Sequence, residues 1–193
     1  MVKKGGHRLS LATREFYFLR HGQTDHNTLK VPFTEQRDIA LNEHGKKQAR
    51  ALASSLGLLP IQTICYSPLQ RAKETMNLGA VELKEAHRIE ISALKECAPH
   101  VWPVMIEAKV MPPTSAEVQH FFDQVLTGVR AALAHLGPVL IVAHGGVHWA
   151  LCQQLDVSPD EYDWKMDNGA VAHFTQTEDG VWQSQTIITP PMS

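Results

Sequence analysis

The stretch FYFLRHGQTDHN, residues 16–27, decides how the rest of the chain is read. Its first four residues are apolar and rich in aromatics, which suits a short buried strand better than a helix. The strand then stops on two basic side chains, Arg20 and His21, followed by Gly22. An open α/β sheet presents its ligand site at the carboxyl ends of its strands, and a glycine there frees the backbone to turn and lets a ligand come close. A second strand ends the same way: VLIVAHGG, residues 139–146, carries His144 and Gly145 just past a wholly apolar run.

Between these two ends the chain alternates strand and helix signals. From Asn42, NEHGKKQARALASSLG has Ala49, Leu52, Ala53 and Leu56 at helical spacing, with Asn42 as cap and Gly57 as stop. TICYS, residues 63–67, reads as a strand leading into a helix capped by Ser67, with Pro68 at its first position and Gln70 completing a capping box. That places Arg71 in a first helical turn, where backbone N–H groups and the helix dipole favour an anion. HRIEISAL, residues 87–94, alternates like a half-exposed strand, and the four prolines between Cys97 and Pro113 predict a loop. Thr114 and Glu117 form a capping box for a long helix with Val118, Phe121, Phe122, Val125, Leu126, Val129, Leu133 and Leu136 on one apolar face. HGGVHWALCQQL opens a further helix after residue 143, and NGAVAHFT and GVWQSQTII pair as a hairpin through TEDG. The pattern predicts an α/β layered domain with a mostly parallel sheet. Residues 1–14 read as a flexible leader, and 15–193 as one domain.

Composition narrows the function classes. With 193 residues and a formal charge of −2, the chain lacks the basic excess that nucleic-acid binding requires. No apolar run is long enough to span a bilayer. Cys65, Cys97 and Cys152 form no C-x-x-C pair, and their odd number argues against a disulfide framework, so a cytoplasmic location is expected.

Two arginines and two histidines gathered at one rim of one sheet make a pocket for a phosphate. A neutral imidazole is a good nucleophile near neutral pH, and a covalent intermediate splits one difficult displacement into two easier ones. Arg20 and Arg71 can grip phosphate oxygens bidentately, and Glu96, just beyond the alternating strand, can protonate a leaving alkoxide if its pKa is raised. His144, His148 and Cys152 also fall at i, i+4 and i+8, a spacing that could face a metal; without an H-E-x-x-H arrangement no metal site is assigned.

The motifs R-H-G-Q-T-x-x-N at 20–27, S-P-L-x-R-A-x-x-T at 67–75, L-x-E at 94–96 and A-H-G-G at 143–146 occur in one order. With the D-x-x-L-N-x-x-G-x-x-Q-A stretch at 38–49, they resemble the histidine phosphatase superfamily, in its phosphoglycerate mutase-like branch. The resemblance implies a three-layer α/β/α sandwich and a reaction that needs no metal or organic cofactor. It implies that His21 is phosphorylated, that Arg20, Arg71 and His144 hold the phosphoryl group, and that Glu96 is the proton donor. Thr24, Asn27 and Gly145 would line the phosphate site. The chain departs from the family pattern at TLKVPFTEQRD, which lacks a glycine, and at CAPHVWPVM after the acid. The expected function is hydrolysis of a small phosphorylated metabolite. The alternatives are phosphoglycerate mutase, or a phosphate-binding or phosphoprotein-directed relative with low turnover. Oligomeric state is not specified.

Overall fold

The computed structural model describes residues 11, 15–28, 38–107, 115–157 and 166–190. The leader at 1–14 therefore lies outside the described residues except for Leu11, which packs against the core. Most of the TLKVPFTEQRD loop also lies outside them.

Six strands form one sheet. In chain order they are β1 (Glu15–Arg20), β2 (Thr63–Tyr66), β3 (His87–Glu90), β4 (Val139–Ala143), β5 (Val171–Gln176) and β6 (Trp182–Ile188). They lie side by side as β3-β2-β4-β1-β5-β6. The first four neighbours are parallel, while β5 and β6 run antiparallel as a hairpin added beside β1. The mostly parallel α/β sheet expected from the pattern is the one observed.

Side-chain alternation on the strands separates two cores, as a sheet buried on both faces requires. Tyr17, Leu19, Ile64, Leu140 and Val142 face one way. There they meet α1 (Glu43–Ala51), α2 (Ala53–Gly57) and α3 (Gln70–Gly79) through residues such as Leu52, Leu56 and Met76. Phe16, Phe18, Cys65, Ile141 and Phe174 face the other way. Their partners are α4 (Val101–Glu107), α5 (Ala116–Leu133) and α6 (Gly145–Gln154). Three layers result.

Several local expectations are corrected. The segment read as a loop contains α4, and Pro103 is tolerated because it is the helix's third residue, where the N–H has no intrahelical acceptor to lose. The helix read as continuous from Asn42 breaks into α1 and α2 at Leu52; Asn42 caps it as expected, accepting from Gly45 N at 2.8 Å. Ser67 does not cap α3. That helix starts at Gln70 behind Leu69, and its first N–H is met by the Asp38 carboxylate at 2.5 Å. For α5 the cap is Ser115, accepting from Val118 N at 3.2 Å; Thr114 lies outside the described residues, and Leu136 is exposed beyond the helix end. The strand expected over 87–94 stops at Glu90, and Ser92–Leu94 turns as a short 3-10 helix that brings Glu96 inward.

Gly22 also has a different reason from the one its neighbours suggest. A Cβ there would stand 2.6 Å from the carbonyl oxygen of Gly45, and a Cβ on Gly45 would stand 2.0 Å from that of Gln23. The two glycines let α1 lean directly on the loop after β1. Because both obstacles are backbone atoms, Gly45→Ala should lower stability by about 3 kcal/mol. A lower urea midpoint with an unchanged m-value would report it.

Candidate active site

Strands β1 and β4 are parallel neighbours, with Arg20 in register with Ala143. The chain leaves β1 for the layer of α1 and leaves β4 for α6 on the opposite face. Such a divergence opens a crevice at the carboxyl ends of the two strands, where open α/β sheets take their ligands. His21 and His144 each follow one of these ends.

His21 is 4% exposed and held on every side. Its backbone N–H donates to Ala143 O at 3.0 Å, and its carbonyl accepts from Gly169 N at 3.1 Å and from Asn168 Nδ2 at 3.0 Å. Nδ1 lies 2.7 Å from Gly22 O. A carbonyl only accepts, so Nδ1 carries the proton and Nε2 presents a lone pair. Arg71 Nε donates to that Nε2 at 3.3 Å. Burial first, then the charges of Arg71 and Arg20, push the His21 pKa well below its ordinary 6.5, so the ring is neutral at neutral pH.

The loop bearing this ring is braced from distant parts of the chain. Gly22 N donates to Thr75 Oγ1 at 3.0 Å, and that hydroxyl donates to Arg71 O at 2.7 Å, joining the His21 loop to α3. Gln23 N donates to Gln48 Oε1 on α1 at 2.9 Å. Thr24 is buried, and both its N–H (2.9 Å) and its hydroxyl (3.0 Å) donate to Asn27 Oδ1. Asn168 Nδ2 reaches the same oxygen at 3.2 Å. Thr24 and Asn27 thus close the turn, with Asn27 exposed at its outer side. Sequence reading gave Asn168, Thr75 and Gln48 no bracing role, although Thr75 and Gln48 are fixed positions of the quoted motifs and Asn168 opens an Asn-Gly step, a turn signal ending in a glycine at φ 76°.

Arg20 and Arg71 converge on this ring. Arg20 Nη1 donates to Met166 O, while Gly145 lies against its guanidinium, a Cβ there falling 3.4 Å from Cζ. Burial lowers both arginine pKa values, and the Glu96 carboxylate works against that shift; guanidinium remains charged. His144 is fully buried, its ring 5.2 Å from that of His21, and its pKa too lies well below 6.5 through burial and the charge of Arg71. Three buried nitrogens, Arg20 Nε, Arg71 Nη1 and His144 Nδ1, have no hydrogen-bond partner among the described residues. Buried polar atoms are almost always paired, so three from the same cluster call for an acceptor with several oxygens.

Glu96 sits on the start of α6. Its Oε2 accepts from Gly146 N and its Oε1 from Cys97 N, both at 3.0 Å. A Cβ on Gly146 would stand 2.2 Å from Oε1 and 2.8 Å from the Trp102 ring, so this glycine makes room for the carboxyl and the indole together. Burial raises the Glu96 pKa against the opposing pull of those two N–H groups and the two arginines. A cleft of about 490 Å3 opens beside it, between residues 95–101 and the start of α5. The alternative metal reading is not built: His148 packs against Phe18 and Phe174 at 5.4 and 5.7 Å between centroids. Among the described residues no group of three or more His, Cys, Asp or Glu could hold a metal ion.

Comparison with known proteins finds relatives along most of the chain. The chain is 32% identical over 174 residues to agropine synthesis reductase of Rhizobium rhizogenes, covering 83% of this chain and 39% of that protein. It is 29% identical over 188 residues to a 2,3-bisphosphoglycerate-dependent phosphoglycerate mutase of Mesorhizobium japonicum, covering 81% and 88%. The chain spans about two fifths of the length of the first curated relatives it matches. Its fold is similar to that of a mycobacterial glucosyl-3-phosphoglycerate phosphatase solved with VO3, with a TM-score of 0.62 at 22% identity over 93% of this chain and all of that one. The model of the histidine phosphatase superfamily, branch 1, matches residues 16–188, and the chain belongs to that superfamily.

Proposed function

We propose that the protein hydrolyses a small phosphomonoester through a phosphohistidine intermediate on His21, without a metal or organic cofactor. The observation that carries this reading is the set of three buried, unpartnered nitrogens on Arg20, Arg71 and His144 around a neutral imidazole whose Nε2 presents its lone pair. Thr24 and Asn27 serve this site by closing the turn that carries His21, and the N–H of Gly145, the first residue of α6, is assigned to the phosphate lining.

In the first step the Nε2 lone pair attacks phosphorus, the P–N bond forms, and the P–O ester bond breaks. The departing oxygen takes its proton from Glu96. Arg20, Arg71 and His144 neutralise the charge spread over the phosphoryl oxygens, where positioning and electrostatics supply most of the catalysis. In the second step water attacks phosphorus, Glu96 takes the water's proton, the P–N bond breaks, and neutral His21 returns.

Two pKa shifts give the pH profile of kcat/KM. His21 must be neutral, and because its pKa is depressed the acid limb lies well below pH 6.5. Glu96 must be protonated, and because its pKa is raised from 4.5 activity persists to higher pH before an alkaline limb sets in. Glu96→Gln should lower kcat/KM for an alkyl phosphate by about 10²- to 10³-fold and remove the alkaline limb. With 4-nitrophenyl phosphate, whose leaving group needs no proton, the loss should stay under about tenfold. Equal losses on both esters would exclude Glu96 as the proton donor.

A mutase reading is favoured by the relative from Mesorhizobium japonicum, whose name is that of a phosphoglycerate mutase. A mutase must shield its phosphoenzyme from water, and the chain has under 50 residues between Glu96 and His144 to build a cover. Hydrolysis is preferred on that ground. Incubation with 3-phosphoglycerate separates the two: free phosphate supports the hydrolase, and 2-phosphoglycerate without phosphate supports the mutase.

A cytoplasmic setting suits the cysteines. Cys65, Cys97 and Cys152 are buried and unpaired, and burial pushes the thiols of Cys65 and Cys152 up to about 12. They behave as packing residues. No helix of the described residues is long and apolar enough to cross a membrane.

A further inference from the structure

Ser67 follows β2 and is fully buried. Its backbone N–H donates to Val142 O at 3.0 Å, which fixes it beside the end of β4. The side chain does not cap α3; it turns inward, with Oγ 2.7 Å from His144 Nε2. The same oxygen accepts from Leu69 N at 3.3 Å. A hydroxyl has one proton to give, and among the described residues His144 Nε2 is the atom placed to accept it.

We propose that Ser67 is a positioning residue that fixes the tautomer of His144: Ser67 donates to Nε2, so the ring's proton sits on Nδ1, which donates to the transferred phosphoryl group. The alternative tautomer satisfies less. With the proton on Nε2, the Ser67 hydroxyl hydrogen would be buried without an acceptor. The Nδ1 lone pair, already unpartnered in the protein, would then meet the phosphoryl oxygens and repel them. With the proton on Nδ1, Ser67 and Nε2 satisfy each other and the remaining N–H suits an anion.

This assignment explains how two neutral histidines 5.2 Å apart perform opposite tasks. Both carry the proton on Nδ1, but by different devices. Gly22 O holds His21 so that Nε2 is a nucleophile; Ser67 holds His144 so that Nδ1 is a donor. A neutral imidazole in water prefers the Nε2–H form, so without the hydroxyl His144 would lose its donor toward the phosphate. The catalytic consequence rests on the phosphoryl-transfer reading above; the tautomer itself does not.

The test is 15N–1H imidazole correlation spectroscopy of the full chain, with His144 assigned by difference from His144→Gln. The wild type should show a protonated Nδ1 and an unprotonated Nε2. Ser67→Ala should populate the Nε2–H form, weaken orthovanadate binding about ten- to a hundredfold, and lower kcat/KM for 4-nitrophenyl phosphate by a similar factor. Ser67→Thr, which keeps the hydroxyl, should restore the tautomer and most of the affinity. A protonated Nε2 in the wild type overturns the proposal, as does an unchanged tautomer in Ser67→Ala. If Ser67→Ala does not fold, the wild-type spectrum alone decides. Absence of hydrolysis on any phosphomonoester would remove the proposed reaction while leaving the spectrum to judge Ser67.

Discussion

Replacing His21 with alanine should abolish hydrolysis of phosphomonoesters, lowering kcat by roughly 10⁵-fold or more, the scale seen when a covalent nucleophile is removed. The size follows from what the ring does. Among the described residues that meet at the ends of β1 and β4, Arg20 and Arg71 are cations and the Nε2 of His144 is turned to Ser67, whereas the Nε2 of His21 is turned to the Arg71 guanidinium, the group assigned to grip the phosphoryl oxygens. The fold should survive, because the loop is held by backbone groups. Gly22 N still meets Thr75, and the residue-21 carbonyl still meets Gly169 and Asn168. Orthovanadate should therefore still bind to His21→Ala through the two arginines and His144, though more weakly. Retained turnover within about a hundredfold of wild type would point to direct attack by water.

Arg71→Ala carries the second largest expected effect, a loss in kcat/KM on the order of 10³- to 10⁴-fold. Its guanidinium donates to the attacking nitrogen through Nε and leaves Nη1 unpartnered, so one side chain aligns the nucleophile and grips the group it attacks. Its removal also withdraws the charge that helps keep His21 and His144 neutral, so the acid limb of the pH profile should move upward toward pH 6.5. Arg71→Lys should recover only part of the rate, since a point charge cannot reproduce a planar fork. Steady-state kinetics across pH on both variants would check this. Full recovery by lysine would show that charge alone matters at this position.

The parts of the fold and site legible in the sequence are those written locally. Four consecutive apolar residues before Arg20 and five before His144 mark two central strands, and the basic residue and glycine after each mark a ligand rim. Asn42 is legible as a cap because its acceptor role serves an N–H three residues on. The misreadings have the opposite character. Ser67 followed by Pro68 has the local signature of a helix start, yet its hydroxyl is taken by a histidine 77 residues away, and α3 receives its cap from Asp38 instead.

Gly22 reads as a turn residue and Gly45 as a helical position, but the smallness of each is demanded by the backbone it packs against. Asn168 reaches the His21 loop from 147 positions along the chain, a pairing that no periodicity encodes. Proline content led to a loop in place of α4, because a breaker rule applies to helix interiors and Pro103 lies in a first turn. Trp102, whose role sequence does not decide, stands over Gly146 beside the Glu96 carboxyl, at the side from which a leaving group would depart.

The central claim is that phosphoryl transfer passes through His21. Brief incubation of the full chain with a phosphomonoester, a quench in base, and intact-mass spectrometry followed by peptide mapping tests it most directly. The account expects one added phosphoryl group, stable in base, lost in acid, carried by the peptide containing His21, absent from His21→Ala and unaffected by chelator. Robust hydrolysis with no adduct under any quench, or an acid-stable adduct on another residue, would contradict it.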